Sequence, residues 1–404
     1  MQRKILATLV AATFALGAGA AQAQISDGVI KIGVLNDMSG LYADIAGPGS
    51  LVAAKMAVED FGAAKKGMKV EVIGADHQNK PDIGSTIART WYDTDKVDAI
   101  VDVPTSSVAL AVSQITRDKG KAFLVSGAAT SDLTGKSCSP NTIHWTYDTW
   151  MLANGTGAAI AKTGGDTWFF LTADYAFGHA LERDTEAVVI KNGGKVLGKV
   201  RTPFPGTDFS SFLLQAQASK AKIIGLANAG GDTINSIKQA AEFGIVKGGQ
   251  NLAGMLVFLT DIKSLGLPTA QGLIFTSTFY WDRDDASRAF TKRYITQSPN
   301  GHYPTMVQAG VYSAVLHYLK AVESLKSDDG TKVVAKMKEM PTDDPLFGKG
   351  SVRADGRKIH NAYLVEVKKP AESKGPWDLL KVRATIQAAD AFRPMADGGC
   401  PVVK

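Results

Sequence analysis

The stretch VIKIGVL (Val29–Leu35) is apolar at nearly every position, and the segment after it, Gly47–Phe61, places Leu51, Ala54, Val58 and Phe61 along one helical face. A strand that is apolar on both faces must be covered on both, which is the condition of a parallel sheet sandwiched between helices. The alternation continues outward: Lys69–Ile73, Ala99–Val103 and Ala122–Val125 read as strands, Asp82–Asp93 and Val108–Arg117 as helices. After Asn141–Trp145 the pattern restarts. Thr167–Leu171, Lys195–Val200, Lys222–Ala227 and Leu252–Phe258 read as strands, with Gly178–Lys191, Asp208–Ala218 and Asp232–Phe243 as the helices between them. The expectation is an α/β protein of two doubly wound parallel-sheet lobes in tandem.

The remaining third has helices but few strands. Leu273–Thr278 reads as a strand, and Asp285–Thr296, Thr305–Leu325 and Lys332–Lys338 as helices. Gly350–Val367 reads as a β-hairpin turning at Arg353–Gly356, with Ala362–Val367 as the returning strand. Helices without strands of their own must pack on an earlier sheet, so the chain is expected to cross between the lobes more than once and the lobes to be discontinuous in sequence. Residues 24–146 plus 277–350 are assigned to the first lobe, and 147–276 plus 351–404 to the second lobe and C-terminal tail.

The 404 residues are 45% hydrophobic and 21% charged, which excludes a disordered chain. A formal charge of +6, spread without basic runs interleaved by aromatics, argues against nucleic acid. Arg3 and Lys4, the Ala/Gly-rich run Ile5–Ala21 and the motif Ala21-Gln22-Ala23 read as a cleaved export signal over residues 1–23. No Cys stands there to carry a lipid, so an unlipidated periplasmic protein is expected. Export into an oxidising compartment predicts that the two cysteines, Cys138 and Cys400, form a disulfide, with two free buried thiols as the alternative.

Catalytic motifs are missing. TSDLTGKS (Thr130–Ser137) has Thr130 where a phosphate loop needs its first glycine, no GxGxxG follows the first strand, and neither GxSxG nor HExxH occurs. The six histidines are scattered. No enzyme activity, cofactor or metal is expected. Small polar clusters do follow the predicted strands, where open α/β sheets bind ligands. Thr105-Ser106-Ser107 opens a helix and suits a carboxylate, or is a plain N-cap. Gly127–Ser131 lets a ligand approach the backbone, or is a turn, and Asp174–Gly178 brings the aromatics Tyr175 and Phe177.

On these residues the chain resembles the periplasmic solute-binding proteins of ABC importers, in the branched-chain amino acid (Leu/Ile/Val-binding) family. The resemblance rests on KIGVLNDMSGLYADIAGPGS (Lys31–Ser50), TSS (Thr105–Ser107), SGAATSDLT (Ser126–Thr134), DYAFG (Asp174–Gly178) and QAGVYSAV (Gln308–Val315). It implies the type I periplasmic binding protein architecture, with ligand held between two lobes on a three-strand hinge, a monomer in solution, and permease subunits in the inner membrane as partners. It implies that Ser106, Ala128, Ala129 and Thr130 clamp a ligand carboxylate and, for amino acids, the ammonium. Tyr42 would line the cleft from the first lobe, and Tyr175 and Phe177 from the second; Asp261 is a candidate for the amino end. The loop Asn228–Gly231 lacks the aromatic that amino acid binders often carry, and Phe279-Tyr280-Trp281 adds aromatic surface. Both departures point towards relatives that take up aromatic or other carboxylic acids. Branched-chain or hydrophobic amino acids and aromatic acids are therefore the expected solutes, with urea or a short amide as the rival class and a ligand sensor or a hydrolase as rival roles.

Overall fold

The computed structural model describes residues 25–403, so the expected export signal lies outside the described residues. The first lobe is built on β1 (Ile30–Asn36), α1 (Gly47–Phe61), β2 (Val70–Asp76), α2 (Pro81–Asp93), β3 (Ala99–Asp102), α3 (Ser106–Asp118), β4 (Ala122–Val125) and β5 (Thr142–His144). Its five strands are all parallel in the order β2-β1-β3-β4-β5. The order reverses around β1 and β3, which opens a crevice beyond the carboxyl ends of the strands.

A helical passage, α4 (Thr149–Leu152), a π-turn (Ala153–Gly157) and α5 (Ala158–Lys162), leads into the second lobe. That passage is absent from the sequence reading, because Ala-Asn-Gly-Thr-Gly has neither an apolar stripe nor strong helix formers. The second sheet comprises β6 (Thr167–Ala173), β7 (Lys195–Thr202), β8 (Ile223–Ala227) and β9 (Asn251–Gly254), parallel in the order β7-β6-β8-β9. It is wrapped by α6 (Ala176–Lys191), α7 (Ser210–Ala218) and α8 (Gly231–Glu242). The two doubly wound parallel lobes are as expected. The last strand is shorter than the reading Leu252–Phe258, because α9 (Leu259–Leu265) begins at once, with the Asp261 carboxylate accepting the Phe258 amide at 2.9 Å.

After α10 (Leu267–Ala270) and β10 (Ile274–Ser277) the chain returns to the first lobe with α11 (Asp285–Tyr294), α12 (Met306–Leu325) and α13 (Gly330–Glu339). The attachment is specific. Thr305 caps α12, accepting the Val307 amide at 3.2 Å, and donates to the Ile45 carbonyl at 2.6 Å. Gln308 donates to the Ala46 carbonyl at 3.0 Å. Gly49 of α1 is needed here, since a Cβ would stand 2.2 Å from the Tyr294 hydroxyl.

The C-terminal part departs from the expected hairpin. β12 (Gly348–Val352) pairs with β11 (Thr342–Asp344) and with a two-residue return strand, β13 (Lys358–Ile359). Ala362–Val367 is not that return strand. As β14 it pairs antiparallel with β10 and with β15 (Leu380–Ile386). Between the two, Arg357 is fully buried on the Thr146 carbonyl and Asp148, which ends the hairpin and turns the chain across the hinge. The line drawn at residue 350 falls inside β12, and the tail beyond β15 bonds back to the first lobe. Cys138 and Cys400 are joined there by a disulfide.

Candidate functional site

Each strand of the two sheets delivers a loop to the crevice, and each loop has its own local ordering. Beyond β1, the Asp37 carboxylate accepts the Gly40 and Tyr42 amides at 2.7 and 2.9 Å and the Asn79 side-chain amide at 2.6 Å. This acidic knot holds Tyr42 in place. Beyond β3, Asp102 and Val103 both adopt left-handed backbone (φ 78° and 55°), an uncommon state for side-chain-bearing residues. The bend brings Pro104 against Gly127, whose Cβ would lie 2.6 Å from the Pro104 Cα. Asp102 accepts a hydrogen bond from Asn36 at 2.7 Å, and burial pushes its carboxyl up to about 7. α3 then starts at Ser106, so its first-turn amides lack intrahelical acceptors.

The loop after β4 is the centre of the site. Its three carbonyls are already taken: Gly127 by the Tyr147 hydroxyl at 2.6 Å, Ala128 by His144 Nε2 at 2.8 Å, and Ala129 by the Thr149 amide at 2.8 Å. Burial and the neighbouring Arg357 cation hold the His144 ring well below the usual histidine range, so it donates as a neutral imidazole. Among the described residues no acceptor is paired with the Ala128 or Ala129 amide. The Thr130 amide donates to Ser106 Oγ at 3.2 Å, and Thr130 Oγ1 accepts the Asp132 amide at 3.3 Å. Both hydroxyls are buried, and their own protons are free of those bonds.

From the second lobe, Tyr175 stands at the start of α6, and its hydroxyl meets that of Tyr42 at 2.5 Å. Its ring stacks on Phe204 at 3.9 Å between centroids and lies 5.8 Å from Phe177. Gly230, beyond β8, has φ 57° and passes close under Tyr42, where a Cβ would meet the Leu41 carbonyl at 2.7 Å.

Between the lobes is a narrow crevice with only about 10 Å³ open to a water-sized sphere, bounded by Tyr42, Gly127, Ala129, Tyr147, Tyr175 and Phe177, with Ala229 and Leu256 on the second-lobe wall. Four of the expected residues, Tyr42, Ala129, Tyr175 and Phe177, therefore meet at one cavity. Ser106, Ala128 and Thr130 do not line it; they form the hydrogen-bonded layer at the loop after β4. Asp261 is not on the cavity either. It caps α9 through the Phe258 amide, and burial pushes its carboxyl up to about 7. Tyr147, Phe204 and Leu256 were not anticipated, although Tyr147 and Leu256 obey the strand-end rule that flagged the others. No carboxylate lines the cavity. Among the described residues no group of His, Cys, Asp and Glu could hold a metal ion, and no helix is long and apolar enough to cross a membrane.

A family profile described as periplasmic binding protein matches residues 29–375. A periplasmic binding protein from Burkholderia mallei is 52% identical, with a TM-score of 0.91 over 94% of this chain and 100% of that one. A branched chain amino acid ABC transporter periplasmic ligand-binding protein from Burkholderia xenovorans LB400 is 41% identical, with a TM-score of 0.82 over 93% and 100%. A solute binding protein of an ABC transporter from Rhodopseudomonas palustris BisB5, solved with 3,4-dihydroxybenzoic acid, shares the fold at 24% identity and a TM-score of 0.79, over 89% and 98%.

Proposed function

Since this chain belongs to the periplasmic binding protein family, we propose that it captures a small hydrophobic or aromatic carboxylic acid lacking an ammonium group and delivers it to an ABC permease. One observation carries the reading: the loop after β4 has each of its three carbonyls engaged and two amides without an acceptor among the described residues. Its carbonyls are engaged by Tyr147, His144 and Thr149, while Ala129 at the cavity and, in the layer directly behind it, the Ala128 amide, the α3 first turn and the Ser106 and Thr130 hydroxyls remain to meet an anion that enters past the wall. The second-lobe wall, Tyr175, Phe177, Ala229 and Leu256, offers no acid to an ammonium. An amino acid would bury its ammonium without a counter-ion, at a large desolvation cost. Asp261 is spent on its cap, and Asp232, which accepts the Gly206 amide through Oδ1, leaves Oδ2 buried without a partner among the described residues and is pushed up to about 7 by burial, does not line the cavity. Tyr42, Tyr175 and Phe177 supply the aromatic enclosure for the ligand body.

Calorimetric titration of matched pairs tests this: 4-methylpentanoate against leucine, 3-phenylpropanoate against phenylalanine, benzoate against benzamide. An acid is expected to bind at least about 100-fold more tightly than its amino or amide partner, equivalent to roughly 3 kcal/mol. Ser106→Ala with Thr130→Ala is expected to abolish binding of every acid. Leucine bound as tightly as 4-methylpentanoate would overturn the absence of an ammonium site, and benzamide matching benzoate would overturn the anion site.

A further inference from the structure

The residue after the proposed carboxylate clamp, Ser131, has every polar atom engaged, and by three different parts of the chain. Its amide donates to Thr149 Oγ1 at 3.0 Å, on the passage between the lobes. Its hydroxyl donates to Asp184 at 2.7 Å and receives Arg183 at 2.9 Å, both from α6 of the second lobe. Its carbonyl receives Arg393 Nη2 at 3.0 Å, from the C-terminal tail.

That last contact gives the tail a role. After β15 the chain leaves the third sheet and crosses back over the hinge. The Ala388 amide donates to Asn361, and the Asp390 carbonyl receives Asn154. Phe392 lies under the Arg357 guanidinium at 4.5 Å, and the Arg393 carbonyl is held by Arg353 at 2.8 Å. The disulfide from Cys400 to Cys138 then closes the tail onto the segment that follows Ser131–Thr134. Gly135 belongs to this junction, since a Cβ there would meet Arg393 Nη2 and the Gly398 carbonyl at 2.7 Å. A tail that only covered the hinge would not need an arginine aimed at the backbone one residue from the clamp.

We propose that Arg393 is a positioning residue for ligand binding: pinned by the Cys138–Cys400 disulfide, it fixes the Ser131 carbonyl and so holds the Ala128–Thr130 donors in register for the ligand head group. The proposal rests on the carboxylate reading of that loop. It makes the tail a fourth connection between the lobes and part of the binding device. Once the tether is cut, Arg393 is held only by its non-covalent contacts and the loop must be ordered by the ligand itself, at a cost in affinity.

Two measurements on the full-length mature protein test it. The first is affinity for the tightest acid of the panel above, for wild type, Arg393→Met, Arg393→Lys and Cys138→Ser with Cys400→Ser. Loss of one charge-assisted hydrogen bond predicts roughly tenfold weaker binding for Arg393→Met. Arg393→Lys, which keeps a donor, is expected to recover most of it, a rescue that a purely structural role would not require. The double serine variant should weaken binding similarly, and reductant should move wild type to the same value. The second is amide hydrogen exchange across 127–132 without ligand, expected to rise at least severalfold in Arg393→Met and the double serine variant but not in Arg393→Lys. Wild-type affinity together with wild-type exchange in Arg393→Met would overturn the proposal. If no acid binds the wild type, the functional reading fails, and exchange alone still decides whether Arg393 holds the loop.

Discussion

Lys358 is fully buried, yet its ammonium has no hydrogen-bond partner. It sits over the Trp145 and Phe347 rings at 5.2 and 4.9 Å. The nearby Asp344 carboxylate is committed to Ser313 and to the Leu346 and Phe347 amides. Burial first, and then the Arg357 cation, lower its pKa from 10.5 to about 8, against the pull of Asp344. At 1.36 kcal/mol per unit this charge costs the fold about 3 kcal/mol below pH 8. The sign follows from proton counts. Below about pH 8 folded and unfolded chains both hold the proton and the penalty is constant. Between about 8 and 10.5 the unfolded chain holds more, so stability contributed by this residue rises with pH. Lys358→Met keeps the side-chain length and the ring contacts without the charge. It forfeits the ammonium's attraction to the rings, roughly 1–2 kcal/mol, which leaves a net gain of about 1–2 kcal/mol at pH 7. Urea unfolding of wild type and variant at pH 7, 8, 9 and 10, followed by circular dichroism, reads both quantities. The variant should be the more stable at pH 7, and the difference should shrink as pH rises. A variant no more stable at pH 7, with a difference constant to pH 10, would refute the assignment of an unpaired buried ammonium.

Other perturbations follow from the same geometry. Asp148→Ala strands the fully buried Arg357 and should cost about 3–5 kcal/mol, whereas Asp148→Ala combined with Arg357→Met should recover most of it, as measured by urea unfolding. Asp261 has its carboxyl pushed up to about 7 by burial, so its contribution is present below the unfolded value near 3.8 and is lost as pH rises through 7. Asp261→Asn, which still accepts the Phe258 amide, should remove about 4 kcal/mol of decline between pH 4 and 8, a difference visible in paired unfolding curves.

Much of the fold was legible in the chain. Strand-like apolar runs such as Val29–Leu35 and amphipathic helices such as Gly47–Phe61 are local patterns, because side-chain periodicity is set within one element. Strand-end positions were legible for the same reason: a parallel sheet presents the carboxyl ends of its strands on one edge, and Tyr42, Ala129, Tyr175 and Phe177 all reach the cavity there. The even cysteine count in an exported chain pointed to the Cys138–Cys400 bond.

Tertiary structure alone decided who pairs with whom. Ala362–Val367 looks like half of a local hairpin, yet it joins Ile274–Ser277 and Leu380–Ile386, because the buried Arg357 turns the chain towards Asp148. Asp261 has the composition of a ligand-binding acid and instead caps a helix. The three carbonyls of the loop after β4 look identical in sequence to open acceptors, and only the arrival of Tyr147, His144 and Thr149 closes them. The physical reason is common to all three. Residue type and spacing determine which groups need partners, but the partner is supplied by chain closure over tens to hundreds of residues, and its position is a property of the packed whole.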